Sequence, residues 1–177
     1  MMTFKMMFYL LVMAFVLPSM PVFAQQCDSG RAQTSPDHLF IIKNDGTVKD
    51  RNTNLQWMRC SLGQVWQDGR CAFTQLTYNF HEAFVAVSEF NRSGGIAIHQ
   101  DWRLPTLKEL ATIVEQRCED PAINTNAFPD APVTGYWSTT RDPDYSDGAM
   151  LVHLLTGHSY MGNINVAWAL RLVRKDK

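Results

Sequence analysis

The sequence predicts an α+β domain of small antiparallel sheets, two helices and disulfide staples. Three observations predict it. Strand-like segments lie at both ends of the chain. Two well-capped helix starts lie between them. Four cysteines follow an export signal.

The first strand is Leu39-Phe40-Ile41-Ile42. Asn44-Asp45-Gly46 is a turn signal, and Thr47-Val48-Lys49 leads back out of it. After the polar Asp50–Asn54 turn, Leu55-Gln56-Trp57-Met58 forms another short strand, and Cys60 to Cys71 reads as a glycine-containing loop. Asn79 caps the first helix, with Glu82 completing a capping box. Phe80, Ala83, Phe84, Val87 and Phe90 fall on one helical face, and Ser93-Gly94-Gly95 ends it. The second helix is announced by Leu104-Pro105-Thr106. Proline keeps Leu104 extended, Thr106 is the N-cap, and Glu109 closes a second box. Its stripe of Leu107, Leu110, Ala111 and Val114 carries it to about Gln116. Beyond it the pattern is β: Tyr136 to Thr140, then Met150 to Leu155 ended by Gly157, and finally Ala167 to Val173. In the last strand Trp168, Leu170 and Leu172 share one face and Arg171 takes the other.

The N-terminus reads as a cleavable signal peptide over residues 1–24. Lys5 supplies the charge, and Met6 to Leu17 is an unbroken apolar run. Val22-Phe23-Ala24 places small residues where a signal peptidase reads. Twelve apolar residues rise only about 18 Å as a helix, short of the roughly 20 residues a membrane span needs. Gln26 stands where a lipoprotein signal requires a small residue, which argues against a lipid anchor on Cys27. A polar arm follows over 25–38, irregular and held mainly by Cys27, and the domain proper covers 39–175.

The 153 residues left after cleavage make one domain with room for a real core. Without Lys5 they hold 15 basic and 17 acidic residues, which is no footprint for nucleic acid, and no further stretch approaches membrane-spanning length. Four cysteines in an exported chain read as disulfides, and the short Cys or His spacings of zinc sites are missing. Three pairings are possible. Cys60 and Cys71, close in sequence with Gly63 and Gly69 between them, suit a local closure, which leaves Cys27 with Cys118.

A set of short signals recurs in a recognisable order. It opens with Asp45-Gly46-Thr47-Val48, Leu55-Gln56-Trp57 and Cys60-Ser61-Leu62-Gly63. Trp102-Arg103-Leu104-Pro105-Thr106 follows, then Ile113-Val114-Glu115, Cys118 and Pro121-Ala122-Ile123-Asn124. Phe128-Pro129, Tyr136-Trp137-Ser138 and Arg171-Leu172-Val173-Arg174 complete it. Together, from about Phe40 to Arg174, these resemble the Lcl C-terminal domain family of bacterial exported proteins. The resemblance implies a C-type-lectin-like architecture with the chain ends brought together. The Arg-Leu-Pro-Thr segment is also similar to one in formylglycine-generating enzymes. The family's namesake domain, from a collagen-like adhesin, is a trimer that binds sulfated polysaccharide through a basic surface. This chain departs from it in having no collagen-like stalk and a slightly negative charge.

Among chemistry-bearing residues, the polar loop from Arg141 to Gly148 stands out. Asp142, Asp144 and Asp147 are its cation candidates, because Ca²⁺ takes several hard oxygens. Ser146 occupies the third-ligand position and no bidentate Glu follows, so a solvated loop is the plainer reading and no cofactor is expected beyond a possible Ca²⁺. The tripeptides by which C-type lectins hold sugar through Ca²⁺ do not occur. His81, His153 and His158 form no ligand set, and neither a Gly-x-Ser-x-Gly elbow nor a phosphate loop is present. Of Trp57, Trp102, Trp137 and Trp168, three lie inside strand or helix-entry patterns and read as core, Trp66 reads as partly exposed, and Tyr145 and Tyr160 as loop residues. Arg103 beside Asp101 reads as a structural ion pair.

The function expected is therefore an exported, non-enzymatic binding or adhesion module, periplasmic or secreted, with glycan as its first ligand class. Arg141, Asp142, Asp144, Tyr145, Asp147 and Trp66 are its candidate contacts. The alternatives are a periplasmic module that docks a protein, and an enzyme on a formylglycine-enzyme-like scaffold that would need free thiols. Self-association is compatible with either binding reading.

Overall fold

The computed structural model describes residues 24–141 and 144–176. The signal segment up to Phe23, and Asp142 of the polar loop, lie outside the described residues.

Thirteen short strands and two helices are described. In chain order the first strands are β1 (Gln26–Cys27), β2 (Phe40–Ile42), β3 (Thr47–Asp50), β4 (Leu55–Met58), β5 (Val65–Gln67), β6 (Arg70–Ala72) and β7 (Thr77–Tyr78). Helices α1 (Phe80–Arg92) and α2 (Leu107–Ala111) follow. Then come β8 (Cys118–Glu119), β9 (Gly135–Arg141), β10 (Gly148–His153), β11 (Ser159–Asn163), β12 (Trp168–Ala169) and β13 (Val173–Lys175). Two sheets carry the molecule, ordered β13-β4-β3-β2 and β11-β10-β9-β12-β7. The first is wholly antiparallel and brings the end of the chain beside its early strands. In the second, only β12 against β9 runs parallel.

The α+β class is as the sequence predicts, and so are both capping boxes. Asn79 accepts from the Glu82 amide while Glu82 returns a bond to Asn79, and Thr106 and Glu109 do the same. One core gathers Trp57, Phe128, Ile113 and Tyr136 against the four-stranded sheet. A second gathers Trp102, Trp137 and the α1 residues Phe80, Ala83 and Val87. Trp168 is only partly buried.

Five local expectations are corrected. Phe84 is 46% exposed, because α1 turns Ala86 rather than Phe84 toward the core. Helix α2 stops at Ala111, not near Gln116. Thr112, Ile113 and Val114 are a β-branched run that disfavours helix, and their amides bond three residues back, tightening the chain into a turn. The Cys60–Cys71 loop contains the β5–β6 hairpin, with Trp66 opposite Cys71.

The last predicted strand is two strands in different sheets. Between them Leu170 and Leu172 present their carbonyls to the amides of Leu62 and Met58. Arg171 turns fully inward. Finally, the arm is ordered. β1 pairs with β8, Gln25 Nε2 donates to the Pro121 and Ile123 carbonyls at 2.6 and 2.7 Å, and the buried Glu115 carboxylate accepts from the amides of Thr34 and Ser35.

Candidate functional site

Strand β9 and strand β10 are joined by the polar loop singled out in the sequence, and β11 runs along the far side of β10. Where this loop meets β11, a groove of about 430 Å³ opens, lined by Asp144 to Gly148 on one side and Met161, Gly162 and Asn163 on the other.

The loop's shape follows from its own hydrogen bonds. The Gly148 amide donates to the Tyr145 carbonyl at 3.1 Å, closing a tight turn, and the Arg141 guanidinium donates to the Ser146 carbonyl. Arg141 also lies 5.5 Å over the Phe80 ring, so the loop is braced against the start of α1. From the other side, the Ile164 amide donates to the Asp147 carbonyl at 3.0 Å. Gly148 leaves the space, while Gly162 lets β11 pack closely on the core behind it. A Cβ on Gly148 would stand 2.9 Å from the Met161 sulfur and 3.4 Å from Tyr145 Cβ. A Cβ on Gly162 would collide with Leu151 and Trp137 behind the sheet.

The groove thus has an aromatic face in Tyr145, 59% exposed, an apolar wall in Met161, and a polar rim of Asp144, Asp147 and Asn163. Four of the six sequence candidates bear on it: Asp144, Tyr145 and Asp147 line it, and Arg141 positions its loop. Asp142 is not described. Trp66 is elsewhere, half-buried on β5, donating its indole N–H to the Asn44 carbonyl at 3.1 Å with Arg59 stacked 4.2 Å over its ring. Sequence reasoning missed Met161, Gly162 and Asn163. The signal was a hairpin, since a turn through Gly157 follows the predicted strand and is itself followed by an alternating segment.

Among the described residues no group of three His, Cys, Asp or Glu is arranged to hold a metal ion. The cysteines form Cys27–Cys118 and Cys60–Cys71, leaving no free thiol among those residues. Asp101 and Arg103 do not pair with each other. Arg103 grips Glu109 through two bonds of 2.8 and 2.7 Å, and Asp101 takes Arg174 at 2.7 Å. His153 and His158 face each other across the β10–β11 turn, the His153 amide donating to the His158 carbonyl at 3.0 Å. Tyr160 belongs to β11, not to a loop. No described helix is long and apolar enough to cross a membrane, and with two disulfides this is consistent with a place outside the cytosol.

Residues 46–174 match the Lcl C-terminal domain, a span that takes in the groove, both helices and the Cys60–Cys71 bridge and leaves Cys27 outside. No curated protein matches the chain.

Proposed function

The chain belongs to the Lcl C-terminal domain family, and from that premise we propose that it is an exported, non-enzymatic binding module of C-type-lectin-like build, working in the periplasm or outside the cell. The groove beside β11 is its ligand site and a glycan its ligand. The observation that carries this reading is the convergence of Tyr145, Met161, Asp144, Asp147 and Asn163 on one open groove. An aromatic face packs the apolar side of a sugar ring while a few polar groups fix its hydroxyls. The acidic rim favours a neutral or amino-bearing glycan over a sulfated one, since like charges repel. Engagement of all four cysteines in disulfides supports the non-enzymatic reading over a thiol-dependent one.

The test uses the mature chain from the periplasmic fraction, its first residue near Gln25, on a glycan array. Binding is expected to neutral or amino glycans, and to fall at least tenfold in Tyr145→Ala and in Gly148→Ala, whose added methyl fills the groove. No glycan above background, or binding indifferent to both substitutions, overturns the proposal.

A further inference from the structure

Strand β11 is the edge of the five-stranded sheet, and no described strand lies beyond it. Its backbone parity is set at both ends. The His158 carbonyl accepts from His153, the Ile164 amide donates to Asp147, and Met161 stands opposite Met150. Residues 158, 160, 162 and 164 therefore bond to β10, and the backbone groups of Ser159 and Met161 and the N–H of Asn163 point away from the sheet, the Asn163 carbonyl also accepting from the Val166 amide at 3.0 Å.

Soluble proteins ordinarily blunt such an edge with lysine, proline, a bulge or a covering segment. The strand Ser159-Tyr160-Met161-Gly162-Asn163 has no charge and no proline, and its pairing with β10 runs without a register shift. The other edges differ. β7 has two residues, β2 has three, and β13 is bridged by Arg103, whose amide donates to the Val173 carbonyl at 2.9 Å. β11 is thus the longest open edge described, and Tyr160 and Met161 on it are each 48% exposed.

We propose that β11 pairs with β11 of a second copy, antiparallel about a two-fold axis through Met161, so that two five-stranded sheets become one. A second copy fits because the outward residues are self-complementary. Met161 meets Met161 of the partner subunit in a hydrogen-bonded pair, and Ser159 meets Asn163 of the partner subunit. The neutral strand brings no like-charge repulsion to that meeting. Because Met161, Gly162 and Asn163 also wall the groove, pairing brings two grooves to a common axis and makes the assembly bivalent toward a repetitive ligand.

Sedimentation of the mature chain without ligand, from micromolar to millimolar, tests the pairing apart from the glycan reading. A concentration-dependent monomer–dimer equilibrium is expected. Met161→Lys sets two ammonium groups against each other, and Met161→Pro removes the outward N–H without touching the β10 ladder. Each should weaken dimerisation at least tenfold with an unchanged circular dichroism spectrum. Met161→Cys supplies a thiol on the axis and should cross-link dimers with a short bis-maleimide, whereas Val85→Cys on exposed α1 should not. A chain monomeric at millimolar concentration, or a dimer indifferent to Met161→Lys and Met161→Pro, overturns the proposal.

Discussion

Arg171 departs furthest from its sequence pattern, which set it on the face away from the leucines. It is fully buried, and among the described residues it forms no ion pair with a carboxylate. Its guanidinium donates to the Met58 carbonyl at 3.1 Å and to the Arg59 carbonyl, and lies 5.0 and 5.4 Å over the Phe128 and Tyr136 rings. Burial pushes its pKa below the usual arginine value, the Tyr136 hydroxyl opposing this, yet arginine stays charged even so. The two carbonyls lie at the end of β4, beside the segment where the chain crosses between sheets. Arg171→Ala would leave both unsatisfied and open a void between two aromatic rings. Each lost partner costs about 1–3 kcal/mol, so a loss on the order of 3 kcal/mol is expected in urea denaturation. Arg171→Lys should recover only part of it, because an ammonium reaches the carbonyls without stacking as a plane.

At the scale of elements, starts were more legible than ends. Asn79 with Glu82, and Thr106 with Glu109, are local signals, because a cap needs only its own side chain and an amide three residues on. The end of α2 was in the sequence as the β-branched run Thr112-Ile113-Val114, but where the last strand divides is settled by tertiary bonds, Leu62 and Met58 donating to Leu170 and Leu172. No window of sequence contains those. The candidate site divides likewise: Asp144, Tyr145 and Asp147 stood out as a polar run, while Met161 and Asn163 join them only through the β10–β11 register. The cysteine pairing was legible as one of three, but the arm it anchors was not, because Glu115 receives Thr34 and Ser35 from 80 residues away. The two staples should differ in worth. Chain entropy gives about 4.6 kcal/mol for a 91-residue separation and about 2.8 for 11. Replacing both Cys27 and Cys118 by Ser should therefore lower the urea midpoint more than replacing Cys60 and Cys71.

At the scale of the whole molecule, four carboxylates each rest on a basic partner, and all but Glu109, six residues from Arg103, tie distant parts of the chain together. The Arg174 guanidinium hydrogen-bonded to Asp101 holds that carboxyl below its ordinary value, Arg103 does the same for Glu109, and Arg70 for Asp130. Lys49 depresses Asp176, aided by Lys43 and Arg174, which fastens the chain end to β3. These groups release their protons more readily folded than unfolded, so the unfolded chain binds more protons between the two sets of pKa values. The stability they contribute is complete above the unfolded carboxyl range, near pH 4 to 4.5, and drains away as pH falls through the lower folded values. All four are partly exposed, which screens each contribution and makes it salt-dependent. Thermal unfolding should show a plateau from pH 7 to about 5 and a fall below about 4. Glu109→Gln should flatten that fall, because it removes a titrating group whose bidentate partner Arg103 bridges α2 to β13. A variant whose melting temperature drops equally at pH 7 and pH 3 would assign Glu109 a capping role without the charge linkage. A drop confined to pH 7 assigns it the linkage itself.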